Sequence, residues 1–72
     1  MPAAKNLSIT VNGSAMELPE GSTISDLLKI LEIDSGRVAV EQNLEIVSRE
    51  QYGSRAVSAG DRIEIVHFVG GG

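Results

Sequence analysis

Three consecutive glycines, Gly70, Gly71 and Gly72, directly follow the run Ile63-Glu64-Ile65-Val66-His67-Phe68-Val69. Glycine has no Cβ, so such a tail is thin and conformationally free. Its one chemically distinctive group is the α-carboxylate of Gly72. A thin tail carrying a carboxylate can thread a narrow active site on another protein, where ATP can activate it. At about 3.3 Å per extended residue, the three glycines reach roughly 10 Å beyond a sheet. A frayed chain end accounts for the tail by itself equally well, so the rest of the sequence has to decide between the two.

Other chemistry finds little support. The chain has no cysteine and a single histidine, His67, so thiolate zinc sites, disulfides and thiol nucleophiles are excluded. No serine sits in a nucleophile-elbow context that His67 could serve. The glycine run is no phosphate cradle, because no helix follows it. The ten Asp and Glu residues are spread along the whole chain, as expected for solvated charge. The residues therefore point away from an enzyme acting alone and toward no bound cofactor and no metal.

The net charge of −4, with Lys5, Lys29, Arg37, Arg49, Arg55 and Arg62 scattered, excludes a phosphate-binding patch. With one Phe, one Tyr and no Trp there is no base-stacking surface either. An acidic domain suits a basic groove on a protein partner. No apolar run reaches transmembrane length, and Met1-Pro2-Ala3-Ala4-Lys5 lacks a signal-peptide core. The expectation is a cytoplasmic protein, monomeric when free, binding neither nucleic acid nor membrane.

The elements follow from local pattern. Leu7, Ile9 and Val11 alternate with polar residues, as in a half-buried strand. Asn12-Gly13 is a hairpin signal, since a type I′ turn needs two residues of positive φ. Ser14 to Leu18 returns as a second strand, with Met16 and Leu18 on one face. Thr23 and Asp26 form a capping-box start, and Ile24, Leu27, Leu28 and Leu31 make one apolar stripe of a helix. Asp34-Ser35-Gly36 is the expected stop, with Gly36 left-handed beyond the helix end. Val38-Ala39-Val40 reads as a third strand, and Leu44, Ile46 and Val47 mark a short strand or turn. Arg49 to Ala59 reads as loop with one helical turn, and Arg62 to Val69 as the final strand.

A hairpin followed by a helix across one sheet face is an α+β arrangement. Its natural closure sets the final strand parallel to the first in the sheet centre, the β-grasp topology of ubiquitin. The expected fold is a mixed sheet of four to five strands with one main helix on one face. Residues 1–69 form the domain and 70–72 a flexible tail. If Ile63 and Ile65 face the helix, then Arg62, Glu64, Val66 and Phe68 face the open side. Val66 and Phe68 would then form an apolar docking patch beside the tail.

The segment Gly60 to Gly72, with its Gly-Asp turn, Val/Ile-rich strand and final diglycine, resembles the sulfur carrier proteins of thiamine biosynthesis. Val38-Ala39-Val40-Glu41-Gln42-Asn43 with Ile46-Val47-Ser48-Arg49 is similar to that family's "VAV…N…IVPR" stretch. Tyr52 stands where the family often has Trp or Tyr. Thr23 to Leu28 is similar as well, so the likeness spans nearly the whole chain. Ser48 departs from it, since proline is common there.

The resemblance implies a cycle. A ubiquitin-activating-type enzyme uses ATP to adenylate Gly72, while Gly70 and Gly71 thread its active site and Val66 and Phe68 dock on its surface. Sulfur from a donor protein converts the acyl-adenylate to a thiocarboxylate. Thiazole synthase then takes that sulfur for the thiazole ring of thiamine. The small subunit of molybdopterin synthase shares this chemistry with a different acceptor and remains an alternative. A non-covalent β-grasp interaction module with an inert tail is another.

Overall fold

The alternating N-terminal segment forms strand β1 (Asn6–Val11), and β2 (Ser14–Pro19) pairs with it antiparallel. The structure is a computed structural model that describes residues 5–68. Leu7 lies opposite Leu18 and Ile9 opposite Met16, so one face of the hairpin is apolar. The turn takes the expected form, with φ 49° at Asn12 and 84° at Gly13.

Helix α1 (Ile24–Ile30) starts as its sequence directs. The Asp26 N–H donates to Thr23 Oγ1 at 3.2 Å, and the Thr23 N–H donates to Asp26 Oδ2 at 2.9 Å. The Thr23 backbone N–H, followed by the Thr23 side chain, holds the Asp26 carboxyl below its ordinary range. Ile24, Leu27 and Leu28 are buried from the helix.

The helix stop differs from expectation. Leu31 is the C-cap, and Glu32, not Gly36, takes the left-handed position with φ 58°. The Glu32 N–H donates to the Lys29 carbonyl at 3.0 Å and the Ile33 N–H to the Leu28 carbonyl at 2.9 Å. This Schellman closure satisfies the last carbonyls and turns Ile33 back onto the core. Those gains offset the cost of about 1–2 kcal/mol for a non-glycine residue at positive φ. Asp34 instead caps a 3-10 turn (Ser35–Arg37), its Oδ1 accepting from the Gly36 N–H at 2.9 Å.

Strand β3 (Val38–Gln42) pairs antiparallel with β4 (Glu45–Val47) through the turn residues Asn43 and Leu44, at φ 53° and 73°. A 3-10 turn (Arg49–Gln51) follows and leads into buried Tyr52. Strand β5 (Arg62–His67) completes a five-stranded sheet in the order β2-β1-β5-β3-β4. It runs parallel to β1 and antiparallel to β3, the topology read from the sequence. Strand β5 stops at His67, short of the expected Val69. Val69 lies outside the described residues, as do the glycine tail and the expected division at residue 69.

The core lies between the sheet and α1, built from Leu7, Ile9, Leu18, Ile24, Leu27, Leu28, Val38, Val40, Ile63 and Ile65. The start of β5 is anchored by Asp61, a buried carboxylate. Its Oδ2 accepts from Gln42 Nε2 at 2.7 Å and the Ser58 N–H at 2.8 Å, and its Oδ1 accepts from Asn43 Nδ2 at 3.0 Å. Burial alone would raise its pKa. The bonds from Asn43, Ser58 and Gln42, with Arg55 nearby, outweigh burial and hold it below its ordinary value.

Two predictions follow from these positions. Ser48 has φ −71° and ψ 147°, its side chain makes no cap bond, and its N–H donates to no partner among the described residues. Proline fits that backbone, so Ser48→Pro should stabilise the fold by about 0.4–1 kcal/mol through the unfolded state, read as a raised midpoint of urea unfolding. Asp61→Asn should cost about 1–3 kcal/mol at neutral pH, because an amide group then faces donors. Since the native carboxyl titrates below its ordinary value, its stabilisation is present above about pH 4 and disappears as pH falls through the depressed pKa. The melting gap between Asp61→Asn and wild type should therefore narrow on acidification; a gap of constant size down to pH 3 would contradict the assignment.

Candidate functional site

The site expected from the sequence is the end of β5 and the sheet face beside it. Alternation along β5 buries Ile63 and Ile65 and turns Glu64 and Val66 to the other face. Val66 and Phe68 are each 58% exposed, where the sequence places them. The Phe68 N–H donates to the Arg37 carbonyl at 3.0 Å, which carries the β3–β5 pairing one residue past the strand. Gly70, Gly71 and Gly72 lie outside the described residues.

Register brings further residues to this face. Ala39 is opposite Val66, Glu41 opposite Glu64, and Ile46 opposite Glu41. Ile46 is 76% exposed, so it extends the apolar surface onto the edge strand β4. The sequence marks Ile46 as part of a short strand but cannot say which face it takes. That depends on the two-residue turn at Asn43-Leu44, which contains no glycine to signal it.

A second residue acts on β5 from a distance. Strand β1 pairs with β5 only at Thr10–Arg62 and Val11–Ile63 before the chain turns away. Beyond that point the Asn12 side chain takes over. Its Oδ1 accepts from the Ile65 N–H at 2.7 Å, and its Nδ2 donates to the Ile65 carbonyl at 3.2 Å. The amide thus imitates one more residue of parallel strand and fixes the half of β5 that leads to the tail. Asn12 is legible in sequence as a turn residue; its bond to a strand 53 residues away is not.

Among the described residues no three His, Asp or Glu side chains gather as metal ligands. The larger concavity is an open groove lined by Pro19, Ser22, Asp26, Lys29 and Ile30, and no residue of β5 lines it. Among the described residues the arrangement is a central strand, paired on both sides, that ends beside an exposed apolar surface.

Asn12→Gly tests the clamp, because glycine retains the turn's positive φ and removes only the amide. It should cost about 1 kcal/mol and speed hydrogen exchange at the Ile65 amide more than at Ile9. Equal protection of Ile65 in both proteins would show that the clamp contributes nothing.

Comparison with known proteins agrees with this geometry. The model of the ThiS family matches residues 9–72. The sulfur carrier protein ThiS of Bacillus subtilis is 48% identical over 50 residues, covering 69% of this chain and 76% of that protein. A thiazole synthase of Paramagnetospirillum magneticum is 44% identical over 66 residues, 92% of this chain; the chain spans only 20% of that protein's length. The crystal structure of the thiamine biosynthesis protein ThiS from Geobacter metallireducens superposes with a TM-score of 0.79 at 33% identity, covering 92% of this chain and all 100% of the other. A mixed β-grasp sheet with its central strand paired on both sides and a family match over residues 9–72 place the chain in the ThiS family.

Proposed function

We propose that this chain carries sulfur on the carboxyl group of Gly72 for the thiazole ring of thiamine. The observation that carries the reading is the run of β5 into the tail. The central strand, paired on both sides, ends at His67 beside the exposed Val66 and Phe68, and in the sequence only Val69 separates Phe68 from Gly70, Gly71 and Gly72. Family membership supports it.

The cycle follows from carboxylate chemistry. A carboxylate is a poor electrophile. Its attack on the α-phosphorus of ATP, within a ubiquitin-activating-type adenylating enzyme, releases pyrophosphate and gives an acyl-adenylate. A sulfur nucleophile supplied by a donor protein then displaces AMP, leaving sulfur on the acyl carbon. The resulting thiocarboxylate is a soft nucleophile that holds sulfur without releasing sulfide, and thiazole synthase is its acceptor. Gly70 and Gly71 leave the path to the carbonyl free of side chains, and Val66 and Phe68 dock the activating enzyme. ATP belongs to that enzyme; the carrier contributes the acyl group and the surface. The setting is the cytoplasm, where the reduced pool keeps a thiocarboxylate intact.

Incubation with ATP, a sulfur source and host lysate should exchange one carboxyl oxygen of Gly72 for sulfur, located by tandem mass spectrometry of the terminal peptide. Removal of Gly71 and Gly72 should abolish rescue of a thiamine auxotroph while circular dichroism and melting stay as in wild type. Rescue by the truncated chain would refute the carrier reading and leave a non-covalent module. Rescue of a molybdopterin auxotroph alone would reassign the acceptor.

A further inference from the structure

The open sheet face carries an arrangement that the fold itself does not explain. Glu41 on β3 and Glu64 on β5 are directly opposite across the two strands, and both are half-buried. Cross-strand Cβ atoms at such positions lie about 5 Å apart, and like charges there are destabilising. The ion pairs among the described residues, Arg37–Asp34 and Arg55–Glu45, involve neither glutamate. Neither carboxylate accepts a side-chain hydrogen bond from a described residue. Ile46 closes the row on the β4 side, and Val66 and Ala39 form the next row toward the tail. Two carboxylates without an ion pair therefore lie beside Ile46 and Val66, with Phe68 beyond Val66 toward the tail and the exposed Arg62 on the other side of Glu64 along β5.

We infer that the Glu41–Glu64 pair receives one arginine side chain of the activating enzyme, set among apolar residues that cover Ile46, Val66 and Phe68. The inference rests on the sulfur-carrier reading and specifies the partner's chemistry at that docking surface. Charge selects the occupant. A second copy would bring four carboxylates onto one another, and a nucleic acid would be repelled. A guanidinium fits best, because it is planar, weakly hydrated and able to bond two carboxylates along its edges. Covered by apolar side chains, such a pair is shielded from solvent and salt and contributes specificity as well as affinity.

The test is steady-state adenylation, read as pyrophosphate exchange, with the adenylating enzyme purified from the same cells. Glu41→Gln and Glu64→Gln should each raise the KM for the carrier about tenfold and leave kcat unchanged. The free variants should melt at or above the wild-type temperature, since a like-charge contact is removed. Glu50→Gln, which changes the net charge equally on an exposed 3-10 turn, should leave KM alone. A KM rise of equal size in Glu50→Gln, unchanged KM in both face variants, or a rise that accompanies lowered melting would each overturn the inference. If wild type itself is not adenylated, the sulfur-carrier reading fails; if it is adenylated and the glutamine variants match it, only this inference fails.

Discussion

The two-sided pairing of β5 is the constraint on which the rest of this structure depends. On one side β3 pairs with it from Val38 through Gln42. On the other, the Thr10 N–H donates to the Asp61 carbonyl at 3.0 Å, the Asn12 N–H to the Ile63 carbonyl at 2.9 Å, and the Asn12 side chain clasps Ile65. A slip of one residue would turn Ile63 and Ile65 out of the core and bring Glu64 and Val66 in. Register, core and the direction in which the chain leaves the sheet are therefore one constraint.

A single helix covers one side of that sheet. A chain of 72 residues has a limited core to build, and here it is concentrated between α1 and the inner faces of the strands. The outer face is left to polar residues and to Ile46, Val66 and Phe68. Apolar side chains there contribute little to folding, which leaves them available for recognition. The division of labour within β5 is residue by residue: odd positions 63 and 65 hold the fold, and even positions 64, 66 and 68 face outward.

Much of this was legible because the signals were local. The Leu7–Val11 alternation, the Asn12-Gly13 turn, the Thr23–Asp26 capping box and the final strand each specify their element within a few residues. The exposure of Val66 and Phe68 followed from the β5 period alone. What escaped was set by tertiary closure. Glu32 ends the helix because Ile33 returns to the core, a gain invisible in a sequence where Gly36 is the better local stop. Asn43 and Leu44 make a two-residue turn without glycine, anchored by the Asn43 N–H donating to the Arg62 carbonyl at 2.8 Å and Asn43 Nδ2 donating to Asp61 Oδ1 at 3.0 Å. The face of Ile46 depends on that turn and the Glu41–Glu64 opposition on the β3–β5 register, so the outer face could be assigned for β5 but not across the sheet.

The two faces also differ in how well their residues agree with one another. On the core side every buried side-chain polar atom among the described residues has a hydrogen-bond partner, including the Asp61 carboxylate. The outer face sets like charges opposite each other and leaves large apolar side chains in solvent. A sequence under selection for stability alone would place lysine at position 41 or 64 and polar residues at 46 and 66, each a small change on an accessible strand. Here the like charges and the exposed apolar residues Ile46 and Val66 lie on one surface, on the strands that lead to the root of the tail.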